Sequence, residues 1–139
     1  MGMENSFSLK LKDGKEILVN YFCNFSSLHT YVRENFDGKV REDIYKCSSK
    51  DLKLLKYELE GVYKELYSIG HSTVSYYDEE GYPPIKKDNF SLLNSQYFRP
   101  TRDYNGVKIL SLYQTVCALL MLLENDFDKQ LEVMYVCSY

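Results

Sequence analysis

Apolar and polar residues alternate along the first segment of the chain. Phe7, Leu9 and Leu11 are separated by Ser8 and Lys10, Asp13-Gly14 interrupts the run, and Ile17, Val19 and Tyr21 resume it. A period of two on both sides of a residue pair that tolerates positive φ predicts a β-hairpin. In Ser26–Phe36, "SSLHTYVRENF", the spacing changes to three and four, with Leu28, Tyr31 and Val32 on one face. That segment predicts a short helix, capped by Ser26 or Ser27 and ended by Asp37-Gly38.

The next helix has the strongest pattern. Leu52, Leu55, Leu59, Val62, Leu66 and Ile69 recur at three and four residues, after Ser48 or Ser49 as cap and Asp51 in the first turn. Gly70 is placed to end it, because a left-handed residue there meets no Cβ penalty. The stripe has heptad-like spacing but is too short for a coiled coil, so it predicts a face packed inside the domain. A third helix is expected from about Val107 to Asn125. Its second half, "VCALLMLL", is apolar all round, which predicts a central, buried element. "LEVMYVCSY" then alternates Val133, Tyr135 and Cys137 with Met134 and Val136, predicting a strand that pairs with the N-terminal hairpin.

Between the second and third helices the pattern breaks. "STVSYY" has strand composition, "DEEG" turn composition, and "YPPIKK" returns only as an edge strand or loop, because two prolines remove two ladder donors. Asp88–Gly106 has no clear period. An irregular connection of this length is a candidate functional loop. Together these elements predict a small single α+β domain over residues 1–139. Its antiparallel or mixed sheet would hold the N-terminal hairpin and the C-terminal strand, packed on about three helices with one central and buried.

Composition narrows the functional classes. The chain has 139 residues, 45% hydrophobic, enough for one well-formed core. Its 14 Tyr and 7 Phe, with no Trp, supply amphipathic contact area suited to interfaces as well as to cores. The net charge is −3, and all of it comes from residues 76–139, because residues 1–75 carry 11 groups of each sign. No basic block is present, which excludes nucleic acid as an expected partner. The longest apolar run is far below the ~20 residues of a membrane span, so no membrane partner is expected. Cys23, Cys47, Cys117 and Cys137 show no metal or redox spacing. With no apolar leader in "MGMENSFSLKLK", free thiols predict a reducing, cytoplasmic setting. Met1-Gly2-x-x-x-Ser6 matches the form of an N-acylation signal, a short pattern that often occurs by chance.

No catalytic signature emerges, and no cofactor, metal or enzymatic activity is expected. His71-Ser72-Thr73 is similar to one half of the paired His-x-Thr signature of two-histidine phosphodiesterases, but His29 is followed by Thr30-Tyr31, which breaks the second half. Cys23 or Cys47 with either histidine would make a nucleophile pair only on paper. Two binding candidates remain. Tyr76, Tyr77, Asp78, Glu79, Glu80 and Tyr82 form an acidic-aromatic tip suited to a basic protein partner, a toxin or an enzyme. The expected function is therefore a small binding protein of inhibitor, immunity or anti-defence type. The alternative is a nucleotide-like ligand, or a motif-less enzyme, using Arg99, Arg102, Tyr104 and His71, with Tyr97 and Phe98 available for stacking.

Overall fold

The computed structural model describes residues 2–68, 97–98 and 106–139, with the side chains of 63–68 and 106–107 excepted. In chain order its elements are β1 (Glu4–Lys10), β2 (Glu16–Cys23), α1 (Ser26–Asn35), β3 (Lys39–Arg41), β4 (Ile44–Cys47), α2 (Ser49–Ser68), α3 (Gly106–Glu124) and β5 (Glu132–Ser138). The strands form one antiparallel sheet in the order β2-β1-β5-β4-β3, with the helices packed against it. The α+β architecture therefore agrees with the sequence pattern. The expected strand and turn over residues 72–87, and Gly70 as helix terminator, lie outside the described residues.

The hairpin forms where the alternation predicts it. Gly14 has φ +90°, a conformation that Cβ disfavours, and Asp13 Oδ1 accepts the Lys15 amide at 3.0 Å. Phe7 faces inward beside Val133 and Tyr135, and Leu9 lies opposite Val133 in the register. On β2 the expected alternation holds only in part, with Val19 packed against the core but Ile17 and Tyr21 turned out. Phe7 pairs with Asn20 but Ser8 pairs with Leu18, so Val19 is an extra residue in the ladder. A bulge of this kind changes which side chains face the core. Phe22 is buried, whereas Tyr21 and Ile17 are exposed.

Neither Ser26 nor Ser27 caps α1. The cap residue is Phe25, which has no side-chain cap bond of its own kind. Buried Asn5 of β1 fixes it instead, as described below. For α2 the expected cap is correct and more complete than anticipated: Ser48 Oγ accepts the Asp51 amide at 3.1 Å, and Asp51 Oδ2 accepts the Ser48 amide at 3.3 Å. The pair satisfies two helix-terminal donors reciprocally. Leu52, Leu55, Leu59 and Val62 are fully buried, so the described part of the stripe is core.

Helix α3 runs antiparallel to α2, with the Tyr113 hydroxyl donating to Glu60 at 3.2 Å and Lys53 paired with Glu124 at 3.8 Å. It also meets β2 through Asn20 Nδ2, which donates to Ser111 and Thr115 at 3.1 and 3.0 Å. Ile109, Leu112, Val116 and Leu119 are fully buried. Its apolar run is less enclosed at the far end, where Met121 and Leu122 reach solvent.

The β3–β4 hairpin has no counterpart among the expected elements, because β3 is three exposed residues without an apolar pattern. It is held by backbone proximity: Lys46 N–H donates to the Gly38 carbonyl at 2.7 Å. A Cβ on Gly38 would lie 2.0 Å from the Lys46 carbonyl oxygen. Gly38 thus permits strand pairing rather than ending α1.

Candidate functional site

Alternation in β1 and β5 gives the sheet two unlike faces. The inner face carries Asn5, Phe7 and Leu9 of β1, with Val133, Tyr135 and Cys137 of β5, all buried. Across the outer face the register sets Tyr21, Ser6, Val136 and Ile44 in one row. Leu18, Ser8, Met134 and Lys46 form the next. Tyr21 is 57% and Leu18 60% exposed, and Ile44, Met134 and Val136 are half-buried. The result is a shallow apolar surface with two serines at its centre, bordered by Glu16, Lys10 and Glu132.

The long edge strand β2 beside this face is partly closed. The Tyr21 amide donates to Asn20 Oδ1 at 2.9 Å, and the Lys108 ammonium donates to the Cys23 carbonyl. Side chains thereby occupy backbone groups that a pairing strand would need, a device that limits edge-to-edge association.

A polar chain runs through the inner face. Asn5 Oδ1 accepts the Phe25 amide at 3.1 Å, while Asn5 Nδ2 donates to the Phe25 carbonyl at 3.2 Å and to the Tyr135 hydroxyl oxygen at 2.9 Å. The same hydroxyl is 3.2 Å from His29 Nδ1. His29 Nε2 lies 3.0 Å from Asp43 Oδ1, although the two are not aligned for a regular hydrogen bond. Asn5 and His29 are 0% and 2% exposed. Asn5 and Tyr135 are 130 residues apart, and no short motif announces them. The available signal was a single polar residue in phase with Phe7 and Leu9.

The thiols are poor nucleophiles where they are buried. Burial raises Cys47 and Cys137 above the usual thiol range, with Asp51 and Asp43 respectively adding to it, so both hold their protons at neutral pH. Cys23, at the end of β2, is exposed. Its place beside Phe22 in the alternation turns it outward. His29 meets Asp43 and Tyr135, where the sequence offered a pairing with Cys23 or Cys47.

Tyr31 is pushed up to about 12 by burial first, then by Glu58, Tyr97 and Asp51. Its neutral form is thus preferred in the fold. The stability tied to it is complete below the ordinary phenol value of 10.0 and is lost as pH rises through about 12. Between those limits the loss should be on the order of 2–3 kcal/mol. Urea midpoints measured from pH 8 to 12 should therefore fall more steeply for the native chain than for Tyr31→Phe. Parallel curves would refute this account.

The acidic-aromatic candidates Tyr76, Tyr77, Asp78, Glu79, Glu80 and Tyr82 lie outside the described residues, as do His71, Arg99, Arg102 and Tyr104. The two described neighbours of the arginine segment are committed elsewhere. Phe98 is fully buried against Phe25 and Tyr31, and Tyr97 stands edge-on to Tyr31 with its hydroxyl accepting from Asn35 Nδ2 at 3.3 Å. Phe98 is not available for stacking on a ligand. Among the described residues, no group of three or more His, Cys, Asp or Glu is arranged to hold a metal ion, and no helix is long and apolar enough to cross a membrane. Ser6 of the acylation-like motif is in the middle of the sheet, paired on both sides. Comparison with protein-family models, curated proteins and solved structures gives no match.

Proposed function

We propose that this chain is a small protein-binding domain of the inhibitor or toxin-neutralising kind. The observation that supports this reading is the outer sheet face, which no other described element covers and where Leu18 and Tyr21 are more than half exposed beside Met134, Val136 and Ile44. An apolar face with an aromatic anchor and a charged border has the composition of a protein-interaction surface. The acidic segment Asp78–Glu80 would add steering toward a basic partner, since the whole net charge belongs to residues 76–139. Four free cysteines suit a reducing compartment such as the cytoplasm.

A photoreactive residue placed at Tyr21 or at Tyr77 should cross-link one host protein that the same residue at Phe127 does not. With that protein purified, Leu18→Lys combined with Tyr21→Lys should weaken binding at least ~10-fold, equivalent to about 1.4 kcal/mol. Asp78→Lys with Glu80→Lys should slow association and flatten its salt dependence. Equal binding by native and both altered proteins, with their folds intact, would refute the reading.

A further inference from the structure

His29 lies beneath the sheet face opposite to the proposed interaction surface, and the groups around it are few and defined. Asp43 faces it from the β3–β4 turn, and Tyr135 and Tyr139 from β5 and its end. Cys137 adjoins both tyrosines, Asn5 stands behind Tyr135, and Arg33 acts on Tyr139 from one turn further along α1. These are the titratable and charged groups around the ring among the described residues.

Hydrogen-bond accounting restricts what they do. Asn5 Nδ2 can only donate, so the Tyr135 oxygen accepts from it. The hydroxyl has one proton, with two acceptors in reach, His29 Nδ1 at 3.2 Å and the Cys137 sulfur. A neutral imidazole protonated on Nε2 accepts the Tyr135 proton at Nδ1. An imidazolium donates from both nitrogens, so Nδ1–H takes the second lone pair of the Tyr135 oxygen and the hydroxyl must turn to Cys137. Nε2 lies 3.0 Å from Asp43 out of line for a regular hydrogen bond, and only the imidazolium sets a full positive charge at that distance from the carboxylate. Asp43 holds the turn in the left-handed region at φ 61°, and its carbonyl accepts the Cys137 amide at 2.9 Å. Its side chain is 25% exposed, so protons can reach the pair from solvent.

We propose that His29 is a proton-operated latch on the β3–β4 hairpin: proton uptake tightens its hold on Asp43 and rotates the Tyr135 hydroxyl from His29 to Cys137, and proton loss slackens the hairpin. The inference rests on this cluster alone and is independent of what the outer face binds. It does reach that face, because Ile44 follows Asp43 directly.

Proton NMR of the full chain between pH 4.5 and 8.5 tests it, with the two histidines separated by means of His71→Gln. The His29 ring signal should titrate, and the backbone amides of Ile44 and Cys137 should follow with the same midpoint. His29→Gln should abolish the amide response, and Asp43→Asn should weaken it. Cys137→Ala removes the second acceptor of the hydroxyl and should displace the midpoint of the amide response. A His29 ring that does not titrate, amides with a different midpoint, or an amide response that persists in His29→Gln would overturn the latch. An unchanged midpoint in Cys137→Ala would overturn the rotating hydroxyl. If His29→Gln does not fold, the midpoints in the native chain decide the question.

Discussion

Phe98→Ala should lower the free energy of unfolding by about 3–5 kcal/mol and the melting temperature by roughly 10–20 °C. Phe98 has no exposed surface. Its ring lies 6.1 Å from that of Phe25 in an edge-on contact and 5.7 Å from that of Tyr31. Truncation removes the buried area and these aromatic contacts and leaves a cavity beside the start of α1. The same change separates two roles for the segment around it. If Phe98 served a ligand by stacking, Phe98→Ala would keep its melting temperature and lose a nucleotide-induced shift. If Phe98 is core, the melting temperature falls with no ligand present. Arg99→Ala and Arg102→Ala, measured with the same nucleotide panel, address the arginines separately.

The second large effect is expected at Asn5. Asn5→Ala should cost about 2–4 kcal/mol, because it removes the Asn5 bonds to the buried Phe25 amide and carbonyl and takes one donor from Tyr135. Tyr135→Phe should cost less, about 1–2 kcal/mol, since the backbone of Phe25 remains bonded. The two changes should be non-additive, with the double replacement losing less than the sum, because they share one bond. Urea titrations of the four proteins measure this. Faster hydrogen exchange at the His29 amide, which bonds to the Phe25 carbonyl at 3.2 Å, would locate the loss at the first turn of α1. An Asn5→Ala protein within ~0.5 kcal/mol of the native chain would show that the clamp contributes nothing.

Asn5 also shows why part of this fold was legible and part was not. The first hairpin, α2 and β5 declare themselves because each is specified within its own segment. Asp13-Gly14 supplies a turn, Ser48 and Asp51 a cap, and Val133, Tyr135 and Cys137 a period of two. The β3–β4 hairpin is specified elsewhere. Three exposed residues acquire strand geometry because Gly38 lets the backbone approach Lys46 and because β5 offers β4 a ladder. The bulge at Val19 leaves no mark in the sequence either, since Ile17, Val19 and Tyr21 alternate as a regular strand would. It is the pairing with β1 that inverts the assignment, burying Phe22 and turning Tyr21 outward.

The chemistry of the site divides along the same line. Composition alone indicated an aromatic-rich, weakly acidic domain and located its net charge in residues 76–139. Local periodicity determined which faces of β1, β5, α1 and α2 are apolar, because those periods follow from backbone geometry over a few residues. Only the tertiary structure decided that Phe98 belongs to the core. It alone left Leu18 and Tyr21 exposed on the outer face, and it alone joined Asn5, Tyr135, His29 and Asp43 into one chain. Those outcomes depend on contacts between residues up to 130 positions apart, set by strand order and register. No local pattern encodes them, because a side chain's partners across a sheet are fixed by the neighbouring strand and not by its own.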